Sequence, residues 1–190
     1  MIKKIIFIIF INFFFALNNI ANANQKWILD KEISSISFEI PVILLKNVKG
    51  EFKEIDGIIE IDTKNKKNNK ALFSVNIDSI EMNYKEYIKL ILSDIFFNEK
   101  KYPIALIDTK KFAYKNEKKM DIVAELSIKG IVNEIPIQLE INNLSTDFVQ
   151  IKAKLIFSRK AFNLGTGNWS SAAILKDKVE INTNLFLYKE

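Results

Sequence analysis

Hydrophobic and polar residues alternate with a period of two along most of the chain. The segment from Ile135 to Ile141 is the clearest case, because its apolar residues alternate with Pro136, Gln138 and Glu140. Successive side chains of a strand point to opposite faces, so this pattern predicts strands with one buried face. The same alternation begins near Ser34, Ile55, Phe73, Ile122, Val149 and Val179.

Polar segments rich in Lys and Asn separate these runs at 64–70, 114–119 and 142–147, and such segments are typical of turns. The spacing predicts an all-β fold of about eight antiparallel strands. So many large inward side chains require a closed barrel or a sandwich. An eight-stranded barrel is either filled by its own side chains or holds one ligand, and periodicity leaves both open.

Residues 84–93 break the alternation. Tyr84, Tyr87, Ile88 and Ile91 follow the i, i+3, i+4 spacing of an amphipathic helix. One short helix is therefore predicted here, with Asn83 as its N-cap.

The first 23 residues have the three parts of a secretory signal peptide. Lys3 and Lys4 precede an apolar run, which is followed by Ala21-Asn22-Ala23. The run from residue 5 to residue 17 is shorter than the ~20 residues that span a bilayer. We expect cleavage after Ala23, a single mature domain over 24–190 and a location in the periplasm. Nucleic acid is not an expected partner there.

Composition limits the chemistry that this chain can perform. The 190 residues include no His and no Cys, which excludes Ser-His or Cys-His catalytic pairs, thiolate or imidazole zinc sites and disulfides. The formal charge of +5 is modest and dispersed. These facts favour a binding protein over an enzyme, with no catalytic residues and no bound metal.

Short motifs in a fixed order resemble the YceI-like family of exported, lipocalin-like proteins that bind polyisoprenoid chains. The motifs are Trp27-x-x-Asp30-x-x-x-Ser34-x-x-x-Phe38, Val48-x-Gly50-x-Phe52, Ile77-Asp78-Ser79-Ile80, Phe96-Phe97, Lys101-Tyr102-Pro103, Leu126-Ser127-Ile128-Lys129-Gly130, Arg159-x-x-Phe162 and Gly165-x-Gly167-x-Trp169. The resemblance covers residues 24–190.

The resemblance implies a carrier whose barrel, with one short helix, holds the isoprenoid tail of a quinone-like or polyprenyl lipid. The lipid is the ligand, and no cofactor is implied. The alternative is an envelope stress or interaction protein whose barrel is filled by side chains. Relatives with the Gly-x-Gly-x-Trp stretch are sometimes encoded with b-type cytochromes, which points to a membrane surface or a membrane cytochrome as a partner. A monomer and a homodimer both stay open.

The candidate lipid-lining residues are inward or apolar positions that would equally form an ordinary core: Phe38, Phe73, Val75, Ile77, Phe96, Phe97, Leu126, Ile128, Phe157 and Trp169. Phe96 and Phe97 either gate one end of the barrel or pin the helix onto it. Trp27 is interpreted as a packing anchor. Ile33 and Val42 stand where many relatives carry His, which leaves the preference for a head group open.

Two polar residues complete the candidate site. Arg159 is the one arginine of the chain, and its guanidinium forms fixed forked contacts that lysine cannot form. We expect it to pair with Asp30, Asp62 or Asp78 as a tie between strands, or else to contact a lipid head group. Asp78 is expected at a turn or at the barrel rim.

Overall fold

The structure is a computed structural model that describes residues 24–42 and 47–190. The predicted signal peptide, residues 1–23, lies outside the described residues. None of the helices in the described part is long and apolar enough to cross a membrane.

The described residues form eleven strands and one short α-helix. The strands are β1 (Asn24–Leu29), β2 (Ser35–Ile40), β3 (Val48–Phe52), β4 (Ile55–Asp62), β5 (Lys70–Asn76), β6 (Ile80–Met82), β7 (Ile104–Asp108), β8 (Lys119–Ile128), β9 (Ile131–Asn143), β10 (Phe148–Ser158) and β11 (Lys178–Lys189), and the helix is α1 (Ile88–Leu92).

Eight of these strands form a closed antiparallel ring in the order β1-β4-β5-β7-β8-β9-β10-β11, and β1 pairs back with β11. Closure leaves no unpaired strand edge in the ring, and the inward side chains form a common core. The prediction of an antiparallel barrel of about eight strands with one short helix is confirmed.

The other three strands, β2, β3 and β6, extend the sheet from the middle of β11. Residues Leu187–Lys189 of β11 pair with β1, whereas Glu180–Asn184 pair with β2. Between these two stretches the Ser34 hydroxyl accepts a hydrogen bond from the Phe186 N–H at 2.9 Å. The β11 strand therefore changes partner at this height, and β2, β3 and β6 border one end of the barrel.

The chain between β6 and β7 covers this end. It forms a 3-10 turn at Lys85–Tyr87, then α1, and returns to β7 through Pro103. The N-cap prediction for Asn83 is wrong, because its side-chain oxygen accepts from the Lys49 N–H at 3.0 Å and its amide donates to the Asn47 carbonyl at 3.1 Å. Asn83 thus ties the covering segment to β3.

The strand predicted through Phe73, Val75 and Ile77 is shorter than expected. It ends at Asn76, whose side-chain oxygen accepts from the Asp78 N–H and caps a 3-10 turn at Ile77–Ser79. Ile77 is still buried, with 2% of its surface exposed.

Candidate functional site

The covered end of the barrel encloses an apolar cavity of about 160 Å³, which we call the helix chamber. It lies beneath α1, between the inward faces of β2, β5, β8 and β10. Every residue that the sequence suggested as lipid-lining borders it: Phe38, Phe73, Val75, Ile77, Phe96, Phe97, Leu126, Ile128, Phe157 and Trp169. The structure thus brings these ten residues to one space, with core residues such as Leu155 and Val179 between them.

Aromatic side chains form the cover of the helix chamber. The Trp169 ring meets the Phe96 ring edge-on with centroids 6.1 Å apart, and it meets the Tyr87 ring in the same manner at 6.3 Å. Phe97 packs edge-on against Phe52 at 6.3 Å. Phe97 therefore packs the covering segment against β3, and Phe96 and Phe97 both border the cavity.

Arg159 holds the loop that carries Trp169. Arg159 is 1% exposed, and its guanidinium donates to the carbonyl oxygens of Lys176, Leu164, Gly165 and Leu175 at 2.8–3.2 Å. These bonds hold both ends of the loop 163–177 together. Burial lowers the pKa of Arg159 from its ordinary value, and the nearby Asp177 opposes that shift.

The expected pairing of Arg159 with Asp30, Asp62 or Asp78 is wrong. The guanidinium donates to backbone carbonyls instead. Every residue has such a carbonyl, so the sequence does not show which of them will be the partners. The Asp62 carboxylate instead accepts from the Asn68 side chain and the backbone N–H of Asn65, and the Asp30 carboxylate accepts from the Glu32 N–H. Arg159 therefore fixes the backbone of the loop 163–177 and does not tie strands together through an Asp.

A second cavity of about 510 Å³ fills the other half of the barrel, and we call it the loop chamber. Its walls are inward residues of β4, β8, β9 and β10, such as Ile59, Ile122 and Leu139. Trp27, which the sequence suggested as a packing anchor, lines this chamber. At its far end lie Asn116 and Thr146, which are exposed residues of the loops before β8 and β10, so the chamber opens to solvent there.

Only a narrow ring of side chains separates the two chambers, and we call it the waist. Its residues border both cavities: Ile36, Phe73, Ile107, Leu155 and Thr183. Four are apolar, and the Thr183 hydroxyl oxygen accepts from the Ala153 N–H at 3.0 Å. The barrel interior therefore holds two largely apolar cavities that share these five wall residues.

The remaining candidate residues lie apart from the chambers. Asp78 is exposed, in the 3-10 turn after β5, and it borders neither chamber. Ile33 is 49% exposed in the turn between β1 and β2. Val42 lines the helix chamber and forms a β-bridge with Leu175. Of the two positions where relatives carry His, only Val42 thus faces the cavity.

Charged groups of the described residues lie mainly on the outer surface. Arg159 is the one charged side chain that borders either chamber. Among the described residues, no three carboxylates are grouped so that they could hold a metal ion. The interior is arranged to solvate hydrocarbon rather than charge.

The sequence did not indicate the loop chamber, although its walls carry the same alternation as those of the helix chamber. The turn residues Asn116, Ser145 and Thr146 gave the only available signal, because they fall in loops between strands that meet at one end of a barrel.

Curated proteins similar to this chain include two from Escherichia coli and Vibrio parahaemolyticus. Protein YceI of Escherichia coli O157:H7 is 25% identical over 139 residues, which are 73% of this chain and 72% of that protein. A UPF0312 protein of Vibrio parahaemolyticus, VPA0850, is 28% identical over 114 residues, or 60% of each chain.

Solved structures have the same fold. Burkholderia cenocepacia BcnA superposes with a TM-score of 0.75 and 23% identity, over 83% of this chain and 98% of that one. A polyisoprenoid binding domain from Saccharophagus degradans, implicated in plant cell wall breakdown, superposes with a TM-score of 0.70 and 16% identity, over 86% and 98% of the two chains. The YceI-like domain model matches residues 27–187, nearly the whole described barrel, and the chain therefore belongs to the YceI-like family.

Proposed function

We propose that this protein is an exported, non-enzymatic carrier that holds the polyisoprenoid tail of a quinone-like or polyprenyl lipid inside its barrel. The observation that carries the proposal is unfilled apolar volume: two cavities of about 160 and 510 Å³ share a waist inside one barrel. Ligand pockets commonly measure about 300–1,000 Å³.

The energetics support a hydrocarbon ligand. Burying a methylene group is worth about 0.8 kcal/mol, so a long isoprenoid tail is held firmly without any polar contact. The helix chamber offers such a tail walls of Phe, Ile, Leu and Val. The alternative, a barrel filled by its own side chains, is disfavoured by the volume of the loop chamber.

Family membership supports the same conclusion, since one structural relative is described as a polyisoprenoid binding domain. The carrier would take its lipid from a membrane surface and release it to a membrane or to a membrane cytochrome. No bond is made or broken in this cycle, so no catalytic residue is needed.

A transfer experiment tests the carrier function. Purified protein is incubated with phospholipid vesicles that contain a prenyl benzoquinone, and the protein is then separated from the vesicles by gel filtration. We expect the quinone to co-elute with the protein in a saturable amount. A protein that stays quinone-free, and also free of polyprenol offered in the same way, would overturn the proposal.

Export is tested separately by expressing the chain with a C-terminal tag in a Gram-negative host. The mature protein is expected in the periplasmic fraction, with Asn24 as its first residue. A cytoplasmic protein that retains Met1 would contradict this part of the proposal.

A further inference from the structure

The lysines of this chain are spread along the sequence, but the fold gathers nine of them at the open end of the loop chamber. They lie in the connections β4–β5 and β7–β8, within segments 63–70 and 109–119, which contain a single acidic residue, Glu117. All nine are exposed: Lys64, Lys66, Lys67, Lys70, Lys110, Lys111, Lys115, Lys118 and Lys119. We call these two segments together the basic rim.

The opposite end of the barrel does not have this excess of positive charge. Its covering segment, 83–103, contains four lysines and three acidic residues. At the open end, Asp147 and the C-terminal Glu190 add negative charge, but Glu190 already pairs with Lys26 at 2.8 Å. The basic rim is therefore an asymmetry between the two ends and does not simply reflect a lysine-rich composition.

Backbone hydrogen bonds fix the two segments of the basic rim side by side. The N–H groups of Asn69 and Phe112 each donate to the other's carbonyl, at 3.3 and 2.9 Å, and the Tyr114 N–H donates to the Lys66 carbonyl at 3.0 Å. The Asn69 side chain is buried and donates to the carbonyls of Lys66 and Phe112 at 2.8 and 3.1 Å. The basic rim is thus one preformed surface, and no lysine side chain takes part in these bonds.

Several of these lysines keep their charge available for a partner. Lys110 pairs with Glu125 at 2.9 Å, and Lys118 and Lys119 lie 3.9–4.0 Å from Glu140. Within the part of the chain that the structure describes, four others take part in no ion pair: Lys66, Lys67, Lys111 and Lys115.

The same segments also form part of the cavity wall. Phe112, Tyr114 and Asn116 line the loop chamber, so exposed lysines and the mouth of an apolar cavity share one surface. A bilayer with anionic head groups matches both features, because it presents negative charge at its surface and hydrocarbon beneath it. An acidic protein surface would match the lysines alone. Each lysine close to an anionic bilayer strengthens binding about fivefold.

We propose that the basic rim docks the open end of the barrel onto a bilayer that contains anionic phospholipids, so that the mouth of the loop chamber faces the membrane during lipid exchange. This inference rests on the proposed function, because it assigns the membrane contact of the same carrier. The attraction should weaken as salt is added, since the screening length falls from ~10 Å at 0.1 M to ~3 Å at 1 M.

Vesicle flotation with a matched pair of variants tests the proposal. The vesicles are phosphatidylcholine with or without phosphatidylglycerol. The rim variant replaces with Gln the four lysines Lys66, Lys67, Lys111 and Lys115. The control variant replaces with Gln four equally exposed lysines of the covered end, Lys85, Lys89, Lys100 and Lys160. Both variants lose the same charge, and urea unfolding checks that both remain folded.

We expect the unaltered protein and the control variant to bind the phosphatidylglycerol vesicles at low salt, and the rim variant to bind them at least about tenfold more weakly. Equal weakening in both variants, or stronger weakening in the control variant, would overturn the inference. Binding by the unaltered protein that is independent of phosphatidylglycerol or of salt would also overturn it. So would no binding at all, a result that would favour an acidic protein as the partner of the lysines.

Uptake without a membrane separates this inference from the proposed function. A prenyl benzoquinone delivered from cyclodextrin should enter all three proteins equally, because no docking step is then needed. Loss of this uptake in the rim variant alone would overturn docking as the role of the lysines. Failure of all three proteins to take up the quinone would instead overturn the carrier function.

Discussion

The ring of Phe73 lies over the backbone of Gly57, its partner in the β4–β5 pair. A Cβ atom at Gly57 would stand 2.1 Å from Cδ1 of this ring, which is far inside van der Waals contact. The missing side chain of Gly57 is therefore the recess that accepts Phe73 at the wall of the waist. Phe38 uses Gly50 in the same way, since a Cβ atom there would stand 2.3 Å from its Cζ.

Gly57→Ala is expected to push the Phe73 ring out of this recess. Overpacking of a folded core costs about 2 kcal/mol, which urea unfolding measures directly. This loss of unfolding free energy comes from one contact, between residue 57 and the Phe73 ring. In a protein that already carries Phe73→Leu, Gly57→Ala should therefore lower the free energy of unfolding only slightly. An equal cost in both backgrounds would show that the ring does not depend on the recess.

Arg159→Lys is expected to lower the free energy of unfolding by about 3 kcal/mol, because a lysine in this buried place leaves carbonyls without donors. The loop 163–177 should loosen as well, which a red shift of Trp169 emission would report in a Trp27→Phe background. The exposed neighbour Lys160→Met serves as the control and should change stability by less than about 0.5 kcal/mol. Unfolding of Arg159→Lys at the urea concentration of the unaltered protein would refute the role assigned to this side chain.

Gly165 and Gly167 form a matched pair in the same loop. Both adopt positive φ angles, +76° and +60°, but only at Gly165 would a Cβ atom collide, at 2.6 Å from Nη1 of Arg159. Gly167→Ala should therefore cost about 1 kcal/mol for the left-handed conformation alone, and Gly165→Ala clearly more. Thermal unfolding of the two variants tests this order, and equal costs would contradict the packing around Arg159.

Stability is expected to fall in acid and to change little near neutral pH, where histidine would titrate if the chain had any. Hydrogen bonds from Asn68 and from the Asn65 N–H lower the pKa of Asp62 below its ordinary 3.8. The unfolded chain then binds a proton that the folded chain does not. The stabilisation is thus present above pH 3.8 and is lost as the pH falls through the folded pKa.

Asp62→Asn tests this contribution by urea unfolding at a series of pH values. The variant should be less stable at pH 7 and should lose less stability than the unaltered protein below about pH 4. If the free energy of unfolding fell with decreasing pH as steeply in Asp62→Asn as in the unaltered protein, the assignment to Asp62 would be contradicted.

Local pattern was sufficient for most of the barrel. The alternation from Ile135 to Ile141 falls within β9, with Ile135 and Ile137 buried as expected. The change of partner along β11, from β2 to β1, was not predictable, because Ser34 meets Phe186 there, a residue 152 positions away. The prediction of Asn83 as an N-cap was wrong because its partner is also distant in sequence: its side-chain oxygen accepts from the N–H of Lys49 in β3.

The sequence predicted the apolar lining of the candidate site, but it did not predict how far the cavities extend along the barrel. Inward aromatic and aliphatic positions identify a lining, and the ten suggested residues do share one chamber. The height at which a residue sits in the barrel depends on the register between distant strands, which no single segment reveals. Trp27 and Trp169 line different chambers, and the sequence around neither residue shows which chamber it borders.

A matched pair of variants on β7 tests whether the interior volume is the binding site. Ala105 is half-buried and lines the helix chamber, whereas its neighbour Ile104 is 45% exposed. Ala105→Phe should fill the chamber and reduce the uptake of long-tailed lipids, while Ile104→Phe should leave uptake unchanged. Equal uptake by both variants would argue that the lipid binds elsewhere.

The most direct measurement is native mass spectrometry of the protein purified without detergent and then incubated with vesicles that contain a solanesyl benzoquinone or solanesol. A lipid-binding barrel predicts a second species, heavier by the mass of one such lipid, which organic solvent removes and renewed incubation restores. A protein that keeps the mass of the bare chain under all of these conditions would contradict the carrier function.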